Sequence, residues 1–400
     1  MLQIRHGRTL GAVAAFSALF SFSASAADIK TVFVIAMENH NWTQPAQVAG
    51  KIQQIYQNPN APFINSLVNG TAFAIVNGEV VHISEQVSYA SAYHSVLATP
   101  SGNNPHIHPS EPNYLWAEAG TNFGVLNDND PFKVPGGTNQ NTGLHLSNLL
   151  TANGKTWKSY QEDIDLTPSA SGLTNVPLPQ AQWTVPLSGI SGSFASGVNA
   201  FNGSAQYNYA AKHNPMVFFT DTNGGNNPTA SNPLSRNYAP LQELFSDLAN
   251  DTVADYNWIT PNQYNDMHTA LNGGYLGLTG DAANIKQGDD FLKQIVPAIM
   301  ASNAYKNHGV IILWWDEAES DGVAGDNADD FNHTIGEIVI SQHAHKNVKG
   351  IPYASPLNLT HSSDLRTMQE IFRVGPLLGD AANAEDLSDL FAPGSFPNKP

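Results

Sequence analysis

The 400-residue chain contains no cysteine. That excludes disulfides, thiolate metal sites and a cysteine nucleophile. Charge is also scarce: Asp, Glu, Lys and Arg together make up 13% of the residues, and only 17 are basic. With 34 acidic residues the formal net charge is −17, which argues against nucleic acid or an anionic membrane as the main partner. Beyond the first 26 residues no apolar run approaches the length of a membrane span, so no stable membrane anchor is expected in the body of the chain. Internal repeats and linker-like composition breaks are absent too. What is abundant is Gly and Pro, 32 and 25 residues, together with Asn and Ser. This composition suits long polar loops over a compact body, and a chain of this size buries a large core without cross-links.

The chain opens MLQIRHGRTLGAVAAFSALFSFSASAADIK. Arg5 and Arg8 precede an apolar run from Leu10 to Phe22, and Ala24-Ser25-Ala26 forms an A-x-A cleavage signal. Residues 1–26 therefore read as a secretory signal peptide, with 27–400 as the exported protein, periplasmic or secreted. Removing the segment takes away two arginines and no acid, so the remainder is more acidic still.

Short apolar runs suit strands covered on both faces: TVFVIAM (31–37), AFAIV (72–76), FGVL (123–126), PMVFFT (215–220), YNWIT (256–260), GVIILWW (309–315) and IGEIVIS (335–341). Helical patterns lie between them at 62–68, 112–120, 144–154, 239–250, 288–302 and 361–372. Strand–helix alternation along the chain predicts one α/β domain with a largely parallel central sheet and helices on both faces. Two polar stretches, 165–207 and 222–236, read as loops over the sheet edge where open α/β folds bind ligands.

Polar clusters follow the predicted strands. TVFVIAM runs into Glu38-Asn39-His40, YNWIT into Pro261-Asn262 and then Asp266 and His268, and GVIILWW into Asp316-Glu317. The carboxyl ends of parallel strands converge on one edge, so these groups are expected to meet. Glu38, Asn39, Asp316 and Glu317 offer the oxygen ligands a hard divalent cation requires. Ser110 stands two residues before Pro112 at a predicted helix start. That is an ordinary place for an N-cap, and equally a place where backbone N–H groups and the helix dipole attract an anion. Serine, cation and anion site together point to phosphoryl transfer. His94, His106 and His108 lie close to Ser110 in sequence, and His106 is the candidate for contacting phosphate.

The motifs VIAMENHNW (34–42), HPSEPNYLW (108–116), NLLTANGKTWKSYQED (148–163), ITPNQYNDMH (259–268), VIILWWDEAESD (310–321) and THSSDLRTMQEIF (360–372) occur in the order found in a known family. The chain resembles the phosphoesterases that include acid phosphatases and phospholipases C, within the alkaline-phosphatase-like superfamily. The resemblance implies an alkaline-phosphatase-like fold, with Ser110 as the nucleophile. It implies Glu38, Asn39, Asp316 and Glu317 around one or two divalent metal ions. It places Asp266 and His361 at the same site, with His268 binding phosphate or protonating the leaving oxygen. The substrate is then a small phosphate ester or a phospholipid. An exported acid phosphatase is the leading reading. A phospholipase C or other phosphodiesterase would share the centre, and an exported phosphate- or metal-binding protein without turnover is the rival from another class.

Overall fold

The computed structural model describes residues 28–45, 54–76, 78–95, 108–324, 331, 333–346 and 350–395. The expected signal peptide and His106 lie outside the described residues.

Eight strands form the central sheet: β1 (Thr31–Met37), β2 (Val87–Ala90), β3 (Trp157–Gln161), β4 (Tyr238–Pro240), β5 (Tyr256–Thr260), β6 (Gly309–Trp315), β7 (Glu337–Ser341) and β8 (Tyr353–Ser355). Their order across the sheet is β4-β3-β5-β1-β6-β7-β2-β8. β7 alone is antiparallel to its neighbours; every other pairing is parallel. β1 lies in the middle, paired with β5 on one side and β6 on the other, with Val34 opposite both Trp258 and Ile312. Every residue of β6 is buried, which requires cover on both faces and explains why GVIILWW carries no polar alternation. Helices α1 (Pro62–Val68) and α5 (Asp281–Ala301) pack on each other, while α2 (Glu111–Ala119), α3 (Leu146–Ala152) and α6 (His361–Phe372) pack together as a second group. α4 (Glu243–Asn250) lies beside β4.

The α/β class and the largely parallel sheet agree with the sequence reading, but three apolar runs do not join the sheet. PMVFFT forms a buried 3₁₀ turn, Pro215–Phe218, because the proline supplies no N–H to a ladder and its fixed φ favours a helical turn. FGVL is a turn with Phe123 at φ +55° and with Phe123 and Leu126 exposed. AFAIV contributes Phe73–Val76, paired only with Glu79–His82 in a hairpin apart from the central sheet. The 165–207 stretch contains short strands of its own: Leu166–Pro168 pairs with Asn175–Pro177, and Ile190–Ser193 pairs with Gln206–Tyr209 beyond its end.

Gly288, inside α5, allows one close approach that matters for the site. A methyl group there would stand 2.3 Å from Met267 Cγ and 2.9 Å from Met37 Cε. Its absence lets α5 press on the loop that carries Asp266 and His268. Met267 between them is held at φ +89°, a left-handed conformation that costs a non-glycine residue about 1–3 kcal/mol.

The second helix group is joined by a buried histidine. His145 Nδ1 lies 3.0 Å from Glu118 Oε2 on α2, and Nε2 lies 2.9 Å from Asp221 Oδ1. Burial opposes the imidazolium, but Asp221 and Glu118 outweigh burial and raise its pKa. Asp221 is itself held below its ordinary value: burial pushes up, and His145 more than offsets it. The histidine's contribution is full below its unfolded pKa of about 6.5 and fades as pH rises through the folded value. The aspartate's contribution is present above about 3.9 and is lost as pH falls through its lowered value. Urea unfolding should therefore show His145→Gln destabilised by about 3 kcal/mol near pH 5, with the gap to wild type narrowing at alkaline pH. A gap that stays constant with pH contradicts this assignment.

Candidate active site

Because β3, β5, β1 and β6 run in parallel, the residues that follow them emerge at the same sheet edge. The ladders continue past the strands: Glu38 N–H donates to the Asp266 carbonyl (2.8 Å) and Asp316 N–H to the Met37 carbonyl (3.2 Å). Glu38, Asp266, Asp316 and Glu317 are thereby brought together, each at most 1% exposed. Asn39 binds across the group, its backbone N–H donating to Asp316 Oδ1 (3.1 Å) and its side-chain amide to Glu317 Oε1 (3.0 Å).

Ser110 opens α2 but does not cap it. Its backbone is already helical (φ −55°, ψ −43°), and its hydroxyl makes no capping bond. The hydroxyl instead lies 3.2 Å from Glu38 Oε2 and 3.3 Å from Glu317 Oε1. The expected backbone anion site is not open, however. Glu111 N–H donates to Asp128 Oδ1 (3.1 Å), Pro112 has no N–H, and Asn113 N–H is bonded to the Ser110 carbonyl. The first turn of α2 already serves an aspartate.

The positive charge comes from elsewhere. Lys212 Nζ donates to Ser110 Oγ (3.4 Å) and to Asp128 Oδ2 (3.0 Å). His213, the next residue, places Nε2 3.1 Å from Glu38 Oε1 and Nδ1 3.3 Å from Asp266 Oδ2. Its ring stacks on Tyr114, whose hydroxyl donates to Glu38 Oε1, and Asn113 holds Glu317 Oε2 (3.0 Å). Lys212, His213 and Asp128 were missed in the sequence reading. They sit on a 3₁₀ turn and a loop with no periodic pattern, and the AKHNP stretch follows no predicted strand.

His268 approaches from the β5 loop, its Nδ1 2.8 Å from Thr269 Oγ1. Burial, then the Lys212 charge, push its pKa down to about 4. The ring is neutral near pH 7, which makes it an N–H donor and a poor acid. His361 lies behind the carboxylates: Nε2 meets the Asp316 backbone carbonyl, and Nδ1 is 2.9 Å from Tyr93 OH and 3.0 Å from Trp314 Nε1. The structure thus brings Glu38, Asn39, Ser110, Asp266, Asp316, Glu317 and His268 together, with His361 one layer beneath. His108 Nε2 rests 2.9 Å from the Ala318 carbonyl. His40 Nε2 is paired with Asp281 (3.0 Å) at the rim.

Burial raises the pKa of all four carboxylates. Glu38 is pushed up to about 7. Asp266, Asp316 and Glu317 are held well above the usual range by burial and then by the charge of Glu38. One lysine cannot neutralise them all. Asn39 Oδ1 and Asp316 Oδ2 are buried without a hydrogen-bond partner, and beside Glu38 and Glu317 they make an oxygen-rich donor set that fits a divalent cation. Among the described residues, the groups whose ligand atoms all lie within 4.8 Å of one another are Glu38, His213 and Asp266 here and His40, Asp281 and Glu319 at the rim.

Residues 102–375 match the family model described as Phosphoesterase family. The chain belongs to the phosphoesterase family. It is similar to a phosphatidylinositol-3-phosphatase of Mycobacterium tuberculosis, 26% identical over 339 residues, which cover 84% of this chain and 78% of that protein. It is also similar to an acid phosphatase of Aspergillus fumigatus, 27% identical over 211 residues, 52% of this chain and 36% of that protein. The match to the fungal protein thus spans little more than a third of its length. Among solved structures, a protein of the alkaline phosphatase superfamily from Vibrio parahaemolyticus aligns with a TM-score of 0.44 at 10% identity, covering 91% of this chain and 72% of that one.

A cation that binds only the folded chain must stabilise it, by about 2.7 kcal/mol at a concentration ~100 times its Kd. Adding Mn²⁺ or Zn²⁺ to the chelated protein should raise the melting temperature, and Asp316→Asn should abolish the rise. Because protons compete for carboxylates of raised pKa, the apparent affinity should weaken from about pH 8 to about pH 5. A melting temperature indifferent to divalent ions would refute the donor-set assignment.

Proposed function

We propose that the protein is an exported, metal-dependent acid phosphatase that hydrolyses phosphate monoesters through a phosphoserine intermediate. The observation that carries this reading is the Ser110 hydroxyl, uncommitted to its helix and set between the Glu38 and Glu317 carboxylates with Lys212 beside it. Both relatives named above are called phosphatases, which supports monoesters over the diesters of a phospholipase C. The full complement of nucleophile and ligand groups speaks against a binding protein without turnover.

Glu38, Asn39, Asp316 and Glu317 would hold a divalent cation, which would supply Lewis-acid charge toward Ser110 Oγ and the phosphoryl oxygens. The Ser110 proton passes to a carboxylate oxygen of Glu38 or Glu317, both within hydrogen-bond reach. Oγ then attacks phosphorus, the bond to the alcohol oxygen breaks, and the leaving oxygen takes a proton from water. Lys212 neutralises charge on the transferring group, and the neutral His268 ring, its Nδ1 accepting from the Thr269 hydroxyl, donates its one N–H, at Nε2, to a phosphoryl oxygen. In the second half a water attacks phosphorus on the opposite side from Oγ. The P–Oγ bond breaks, Ser110 recovers its proton and phosphate leaves. Positioning and charge neutralisation carry most of the rate, as in phosphoryl transfer generally. Asp266 and His213 fix Glu38 from behind, and His361 fixes the Asp316 backbone.

With an aryl phosphate as substrate, Ser110→Ala should lower kcat by at least about 10³-fold, and Lys212→Ala by about 10²-fold. Chelation should abolish turnover, and added divalent metal should restore it. Wild-type rates in Ser110→Ala would refute the nucleophile, and full activity after exhaustive chelation would refute the metal requirement. For export, N-terminal sequencing of the protein from the exported fraction should begin at Ala27. An intact Met1 there would refute cleavage.

A further inference from the structure

Lys212 has a second side. Beside the nucleophile it also lines a cleft of about 300 Å³, formed by the 128–130 loop, the Ile190–Ser193 and Gln206–Tyr209 strands, and Gln263. A group transferred to Ser110 past Lys212 would leave its alcohol portion facing this cleft. The lining is polar and presents unused hydrogen-bonding atoms. Gln263 Nε2 donates to Asn208 Oδ1 (3.2 Å), so Gln263 Oε1 and Asn208 Nδ2 remain as an adjacent acceptor and donor. Asp130 Oδ1 accepts from Gly189 N–H (3.3 Å), which leaves its second oxygen as another acceptor. Ser191 adds a hydroxyl.

A hydroxyl group both donates and accepts, and an acceptor paired with a donor matches it on both counts. An aromatic ring finds little here. Tyr209, the one aromatic residue of the cleft, is buried with its hydroxyl on the Pro186 carbonyl. A second phosphate would meet Asp128 and Asp130, whose like charge disfavours it. We infer that this cleft holds the alcohol portion of the substrate, and that the alcohol is a small polyol or sugar carrying a single phosphate. The inference rests on the phosphatase reading above, and it names the substrate class for that site.

The test compares kcat and KM for inositol monophosphate, a hexose monophosphate, a hexose bisphosphate and an aryl phosphate in wild type, Gln263→Ala and Asp130→Asn. Wild type should favour the polyol monophosphates over the bisphosphate by about tenfold or more in kcat/KM. Each variant should raise KM for the polyol esters about tenfold, leaving their kcat and all aryl phosphate kinetics unchanged. The unchanged aryl rate doubles as the check that the variants fold. Phosphoinositide in detergent micelles, run beside free inositol monophosphate, separates a lipid headgroup from a free polyol; preferential turnover of either supports the shared chemistry. If wild type turns over the aryl ester while the variants leave the polyol KM unchanged, the cleft assignment fails alone. If wild type turns over none of these esters, the phosphatase reading fails and takes this inference with it.

Discussion

Four carboxylates share one buried volume at the end of the central sheet, with Lys212 the one lysine beside them among the described residues, and this crowding constrains everything around it. Removing an ionised carboxylate from water costs several kcal/mol unless a counter-charge replaces the solvent. Glu38, Asp266, Asp316 and Glu317 repel one another as well, so their protons are held tightly when nothing else compensates. A compact divalent charge resolves the conflict, and so does protonation. On the proposal that a cation binds here, the site would exchange protons for it, and in either state the fold must supply the rigidity to hold like charges together.

That rigidity comes from topology. β1 is the middle strand of a parallel set, and its two neighbours deliver Asp266 on one side and Asp316-Glu317 on the other. Outer layers keep these positions fixed. Glu162 and Asp163, just after β3, accept from Asn199, Asn262 and Asn265 and so pin the loop before Asp266. Behind Asp316, the Tyr93–His361 pair closes the layer beneath. Ser110 arrives from a different element, and the Asp128 carboxylate takes over the first free N–H of α2. Pro112 offers no N–H and the Asn113 N–H is bonded to the Ser110 carbonyl, so the serine hydroxyl has no N–H to cap and lies toward Glu38 and Glu317.

Much of this was legible in the sequence because strand residues covered on both faces leave an unbroken apolar run. TVFVIAM, YNWIT and GVIILWW fell where expected, and the acidic residues directly after them inherited their positions from those strands. The reading failed where apolar character had another cause. PMVFFT is buried in a turn that begins with proline, and periodicity alone cannot tell such a run from a strand. The largest omission was Lys212-His213. Their place beside Ser110 follows from a long excursion between β3 and β4 that carries no repeating pattern, so only the folded chain brings them in. Likewise, a serine before a proline reads equally well as cap or nucleophile until the occupant of the helix N-terminus is known.

Covalent bonding of Ser110 to phosphorus is the step on which the proposed mechanism depends. It is tested most directly by quenching parallel samples during turnover of a monoester, one in acid, where phosphoserine survives, and one in alkaline denaturant, where phosphohistidine survives, and locating the phosphate by mass spectrometry. A single phosphorylated peptide carrying the group on Ser110 is expected, present only when divalent metal is supplied. A phosphate found on His213 or His268 would contradict it, as would rapid turnover with no phosphorylated protein at any quench time.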